Sequence, residues 1–147
     1  MGSANVYLHG RGRRAANTES KKIVVGTPYL DEINTVEAEA LVAKGFEVLD
    51  IQGLNLANGI DMGRVTPAYW KTFAQKIDHP EADAIFLSCS GIRALEAVEE
   101  IERTIGKPVV TSNQAAFWSC LRRAGIEDQL QGFGTLFSKP LTERSAG

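Results

Sequence analysis

The sequence predicts an α/β fold: three layers, with a mostly parallel four-stranded sheet, helices on both its faces, and a short fifth strand near the end. Three observations carry that prediction. Short β-branched or apolar runs alternate four times with helically spaced apolar residues. Most of the links between them are brief. Glycine, proline and capping residues mark the handovers. Alternation of this kind means βαβ units with right-handed crossovers, so the sheet is buried between helices.

Lys22-Ile23-Val24-Val25-Gly26-Thr27 is the first strand, because a β-branched run suits a buried ladder. Pro28 ends it. Leu30, Ile33, Val36 or Glu37, Ala40 and Leu41 then recur at helical spacing, with Asp31 and Glu32 in the first turn and Lys44-Gly45 at the close. Phe46 to Ile51 is the second strand. Gln52 to Gly63 reads as a long loop, and loops of that length tend to serve a function. Thr66-Pro67 opens the next helix as a cap followed by a first-turn proline, with Tyr69 or Trp70, Phe73 and Ile77 as its stripe.

Ala82 to Ser88 is the third strand. A helix is expected directly after it from Ile92, through Leu95, Val98 and Ile105, stopped by Gly106. Lys107 to Thr111 is the fourth strand. Thr111-Ser112-Asn113-Gln114 leads into a helix bearing Ala116, Phe117, Leu121 and Ala124. Gly132 to Phe137 is the short fifth strand. The domain reading is a leader at 1–20, one α/β lobe at 21–138 and a polar tail at 139–147. The leader's composition is that of a disordered segment, with an Arg-rich organelle transit peptide as the other reading.

Bulk properties narrow the partners. The 147 residues are 44% hydrophobic and 23% charged, with a formal net charge of -2. That is a globular composition with no call for a nucleic-acid partner. No stretch reaches the roughly 18 apolar residues of a membrane span, and no apolar signal-peptide core follows Met1. Two cysteines, Cys89 and Cys120, do not make a disulfide framework. Together these point to a cytoplasmic protein with reduced thiols.

Candidate chemistry gathers at the carboxyl ends of the strands, where open α/β sheets bind ligands. Those ends read Thr27-Pro28-Tyr29, the Asn55–Asn58 loop, Ser88-Cys89-Ser90-Gly91 and Thr111-Ser112-Asn113-Gln114. With a helix starting at Ile92, Cys89 would sit at a helix amino end, a place that favours thiolates and anions. The edge is rich in neutral donors and suits a small carboxylate. Plainer roles exist for each residue: Cys89 as a small core residue, Tyr29 as packing, Asn58 as a turn former, Asn113 as a helix cap. Cys120 lies in an apolar segment and reads as structural. His9 and His79 are isolated and assigned to no metal. Glu96, Glu99, Glu100 and Glu102 read as a solvated helix face. Nucleotide loops and the nucleophile elbow of Ser hydrolases are absent.

At this point the motifs resemble a known family. Thr27-Pro28-Tyr29-Leu30-Asp31-Glu32-Ile33-Asn34, the Asn58…Met62-Gly63-Arg64 segment, Ser88-Cys89-Ser90-Gly91 and Val110-Thr111-Ser112-Asn113-Gln114-Ala115 are similar to the Asp/Glu racemase superfamily, in the branch of maleate cis-trans isomerase and arylmalonate decarboxylase. The likeness is collinear from residue 22 to about residue 137. It implies two similar lobes with the site in the cleft between them, and no metal, nucleotide or pyridoxal cofactor. It implies that Cys89 is the second-lobe catalytic cysteine, that Tyr29 and Asn58 bind substrate carboxylate, and that Ser90 and Gly91 offer backbone donors.

The chain departs from the pattern in size: it matches the carboxyl-terminal lobe, and the first lobe with its own cysteine is not found in it. The expectation is therefore a truncated, cysteine-dependent isomerase of a small dicarboxylate. Alternatives are a decarboxylase or racemase relative, or an incomplete half that only binds. A homo-oligomer or a complementing lobe is the expected macromolecular partner.

Overall fold

The computed structural model describes residues 21–139. The leader reading, with His9, and residues 140–147 of the tail lie outside the described residues. Element order is β1 (Lys21–Thr27), α1 (Asp31–Ala43), β2 (Phe46–Gly53), α2 (Gly59–Arg64), α3 (Pro67–Ile77), β3 (Ala84–Leu87), a 3₁₀ turn (Leu95–Ala97), α4 (Val98–Ile105), β4 (Val109–Thr111), α5 (Ser112–Arg123) and a final 3₁₀ turn (Thr135–Ser138).

The four strands pair in parallel in the order β2-β1-β3-β4. Successive strand residues face opposite layers. Val24, Ile85, Leu87 and Val109 pack under α3 and α4 with Trp70, Phe73, Val98 and Ile101. Ile23, Val25, Phe86 and Val110 pack on the other face with Leu41, Ala115, Trp118, Leu136 and Phe137. The predicted three-layer α/β architecture is therefore present, with these two apolar layers as its core.

Local signals account for the helix ends. Thr66 caps α3 by accepting from Tyr69 N–H at 3.3 Å, and Pro67 follows. Gly106 ends α4 with φ 71°, a left-handed conformation open to glycine at low cost. Thr111 and Gln114 form a reciprocal capping box at the start of α5.

Five expectations are corrected. First, the residues from Gly132 to Phe137 do not form a strand. Gly134 has φ 80°, and the Thr135 amide donates to the Glu102 carboxylate at 2.9 Å instead of joining a ladder. The segment folds as a 3₁₀ turn that buries Leu136 and Phe137.

Second, no helix starts at Ile92. Ile92 and Ala94 are buried as an irregular link, no side chain caps a start there, and helical structure begins at Leu95. Third, the long 52–63 loop holds the short helix α2. Fourth, Cys120 is exposed on α5 and fills no core site. Glu102 also leaves the solvated acidic face: its carboxylate accepts from Val109 N–H at 2.9 Å and ties α4 to β4.

Candidate functional site

The sheet order places the site. Chain order reverses between β1 and β3: β2 lies on one side of β1, while β3 lies on the other. A crevice at such a switch point opens at the carboxyl ends of the two strands. Tyr29 follows β1 and Cys89 follows β3, so two residues 60 positions apart in sequence become neighbours.

Tyr29 is set by a stapled loop. Thr27 Oγ1 donates to Asn34 Oδ1 at 2.5 Å, and Tyr29 N–H donates to Thr27 Oγ1 at 3.1 Å. From the neighbouring strand's end, Asn55 N–H donates to Tyr29 O at 3.1 Å and Leu56 N–H to Pro28 O at 2.9 Å. Gly53 makes that approach fit: a Cβ there would lie 2.2 Å from Tyr29 O and 2.5 Å from Asn34 Nδ2.

Cys89 is half-buried, with φ 153°, a backbone conformation that L-residues rarely adopt. Bonds on both sides hold it there. Cys89 N–H donates to Ser112 Oγ at 3.2 Å, Asn113 Nδ2 donates to Ser90 O at 3.1 Å, and Ser88 N–H donates to Gly26 O at 2.9 Å. Strain held in this way clusters at functional positions. Gly91 N–H donates to Cys89 Sγ at 3.3 Å. The anion-favouring contact at the thiol is therefore this local amide; the start of α4 lies farther along the chain.

A groove of about 520 Å³ runs from this edge along the face between α1 and α5. Tyr29, Cys89 and Ser90 stand at its head, and Phe86 and Ser88 form its floor. Ile33, Val36, Glu37 and Lys44 line one side, and Ser112, Ala115 and Ala116 the other. Burial raises the Tyr29 phenol well above its ordinary range, and the hydrogen bond to Cys89 and the charges of Cys89 and Glu37 add to that. Tyr29 is thus a neutral O–H donor beside the thiol. Burial likewise raises the Glu37 carboxyl, against the opposing pull of the Ser88 hydroxyl, which donates to Glu37 Oε1, and of Lys44.

Of the predicted site residues, Tyr29, Cys89 and Ser90 share the groove, and Gly91 adjoins the thiol. Asn58 does not line it. Asn58 caps α2 instead, accepting from Asp61 N–H at 3.0 Å and donating to Asp61 Oδ2 at 2.7 Å. Asn113 does not cap α5, since Thr111 has that role; it braces the Cys89 loop. Sequence reasoning missed Glu37, which it treated as one choice for the apolar stripe of α1. A carboxylate at a stripe position was the available signal. Among the described residues no cluster of His, Cys, Asp and Glu could hold a metal, and no helix is long and apolar enough to cross a membrane.

Comparison with known proteins follows the same lines. The arylmalonate decarboxylase family model matches residues 13–137. Arylmalonate decarboxylase of Bordetella bronchiseptica is 32% identical over 125 residues, covering 81% of this chain and 51% of that protein. A crystal structure of arylmalonate decarboxylase superposes with a TM-score of 0.73 at 31% identity, over 82% of this chain and 54% of the other. A Nocardia farcinica maleate cis-trans isomerase mutant, solved with a covalently bound succinylcysteine intermediate, gives a TM-score of 0.77 at 25% identity, over 82% and 50%. The chain spans about half the length of the curated relatives it matches, 51% for the Bordetella protein.

Proposed function

Because the chain belongs to the arylmalonate decarboxylase family, we propose that it carries the Cys89 side of a cofactor-independent site acting through a thiol on a small dicarboxylate, most like maleate cis-trans isomerase. The observation that supports this best is the junction at the switch point. A thiol on strained backbone faces a phenol kept neutral, at the head of a groove.

The roles follow from that geometry. Tyr29 donates its hydroxyl hydrogen to a carboxylate oxygen, where negative charge grows as an enediolate forms. Cys89 exchanges a proton with the carbon next to that carboxylate. A thiolate opposite Cys89, from a complementing lobe or a second copy, adds to the double bond. Rotation about the new single bond and loss of that thiolate complete the isomerisation. Ser90 and Gly91 shape the mouth of the site. Asn58 holds its own helix start and has no part in this scheme. The cytoplasm, where free thiols stay reduced, is the setting we assign.

A second reading is decarboxylation, with Cys89 alone protonating the enediolate left by loss of carbon dioxide. Cys89 favours it as the one thiol at the sheet edge among the described residues. Binding without turnover is the third outcome that the test allows.

Proton NMR of the purified chain with maleate, and separately with phenylmalonate, separates the three. Fumarate formation lost in Cys89→Ala supports the isomerase. Phenylacetate formation from phenylmalonate, lost in the same variant, supports the decarboxylase. Turnover by Cys89→Ala at the unsubstituted rate would end the assignment of Cys89. Ligand-induced shifts without turnover would leave the binding role.

A further inference from the structure

Glu37 occupies a place that the reaction scheme above does not use. It projects from α1 into the groove that holds Cys89. Its carboxylate oxygen accepts a hydrogen bond from Ser88, the residue immediately before the thiol. Ser88 is itself buried at the end of β3, so the contact fixes Glu37 against the strand that carries Cys89. A carboxyl beside an apolar floor of Phe86 and a wall of Ile33 and Val36 is denied part of the hydration that its ionised form would have in water.

We propose that Glu37 sets the charge which the groove presents to an anionic ligand at Cys89: as the acid it admits a carboxylate, and as the carboxylate it repels one. This rests on the reading that the groove receives a small dicarboxylate.

The groups facing Glu37 are few. Ser88 and Cys89 come from the end of β3, and Tyr29 comes from the loop after β1. Lys44 caps the carboxyl end of the same helix, and the α5 side of the groove offers Ser112, Ala115 and Ala116, none of them charged. Burial raises Glu37 above the ordinary carboxylate range, so its change of charge moves toward neutral pH. Coulomb attraction and repulsion over a few ångströms in a half-screened groove change a rate by roughly three- to tenfold.

The test uses two thiol reagents on the full chain carrying Cys120→Ser, which removes the exposed second cysteine. In each reagent the Cys89 thiolate displaces iodide and forms a thioether. Iodoacetate is an anion and iodoacetamide is neutral, so the ratio of their rates cancels the thiolate fraction and reports the local charge. The ratio is expected to fall roughly three- to tenfold as pH rises from 5 to 9, and to stay flat in Glu37→Gln. In Ser88→Ala the fall moves to higher pH, because ionised Glu37 has lost its hydroxyl donor.

Circular dichroism confirms that each variant is folded, and the Ser88 variant keeps the test open if Glu37→Gln is not. A flat ratio in the unsubstituted chain, or an unchanged fall in Glu37→Gln, would overturn the inference. Neither result depends on turnover. A responsive ratio with no binding of maleate or phenylmalonate would retire the proposed substrate and leave the charge assignment standing.

Discussion

The two faces of the sheet differ. On the α3/α4 face, Trp70, Val98 and Ile101 are fully buried, and ion pairs between Lys71 and Glu100 and between Lys107 and Asp78 close its rim. On the α1/α5 face, Ile33 is 46% and Val36 66% exposed, and the groove with Cys89 runs between the helices. The same sheet feeds both layers with similar residues. The difference lies in the distance between the two covering helices. α3 and α4 pack against each other, whereas α1 and α5 leave a channel floored by Phe86.

Both faces bury an apolar core, and only the α1/α5 face also leaves a groove open beside it. Arg122 shows how the open face is still held. Its buried guanidinium donates to the carbonyls of Ile126, Asp128, Phe137 and Lys139, and so pins the last described segment under α5.

The largest expected effect falls on the closed face. Trp70→Ala removes a fully buried side chain and leaves a cavity, so urea denaturation should show a loss of about 3–5 kcal/mol. A loss below about 1 kcal/mol would mean that the closed face is not tightly packed around Trp70.

Glu37 gives an intermediate effect of known sign. Its folded-state carboxyl is raised above the unfolded one, chiefly by burial. Its contribution to stability is therefore complete below the ordinary carboxylate range and is lost as pH rises through the raised value. Thermal melts of the unsubstituted chain from pH 4 to 8 should lose stability relative to Glu37→Gln as pH rises from the ordinary carboxylate value through the raised one, and run parallel to it above that. Parallel curves for the two proteins across the whole window would contradict the assignment.

The smallest effect belongs to the open face. Val36→Ser exchanges residues of similar helix propensity at an exposed site, and should change stability by no more than about 0.5 kcal/mol. The measurement is a melt at two protein concentrations. A larger loss that depends on concentration would show that this face is covered by another chain in solution.

Much of the fold was legible because its signals are local. Thr66-Pro67 and Gly106 each specify a helix boundary within one turn and act as expected, and Thr111-Ser112-Asn113-Gln114 leads into α5 as expected, though with Thr111 and not Asn113 as its cap. The misses arise where a local pattern met a tertiary demand. Ile92 fits a helical period, yet it is spent filling the gap beneath the thiol loop, so the helix starts later. Gly132 to Phe137 has strand composition, but Glu102 takes the Thr135 amide and the apolar pair folds back onto the sheet face. Asn58 carried a resemblance to a ligand-binding asparagine, and its nearest partner is Asp61.

By itself the sequence determined the alternation of strands and helices, the caps, and which residues stand at strand ends. These depend on period and chemistry within a few positions. Only the tertiary structure decided that β1 and β3 are neighbours, so that Tyr29 meets Cys89. Strand pairing depends on how both apolar layers pack at once, and no local stretch encodes that. The same packing turned Glu37 from a position in a helical stripe into a carboxyl held against Ser88 in the groove. It also holds Cys89 at φ 153°, through the bond from Cys89 N–H to Ser112 and the bond from Asn113 to the neighbouring Ser90 carbonyl.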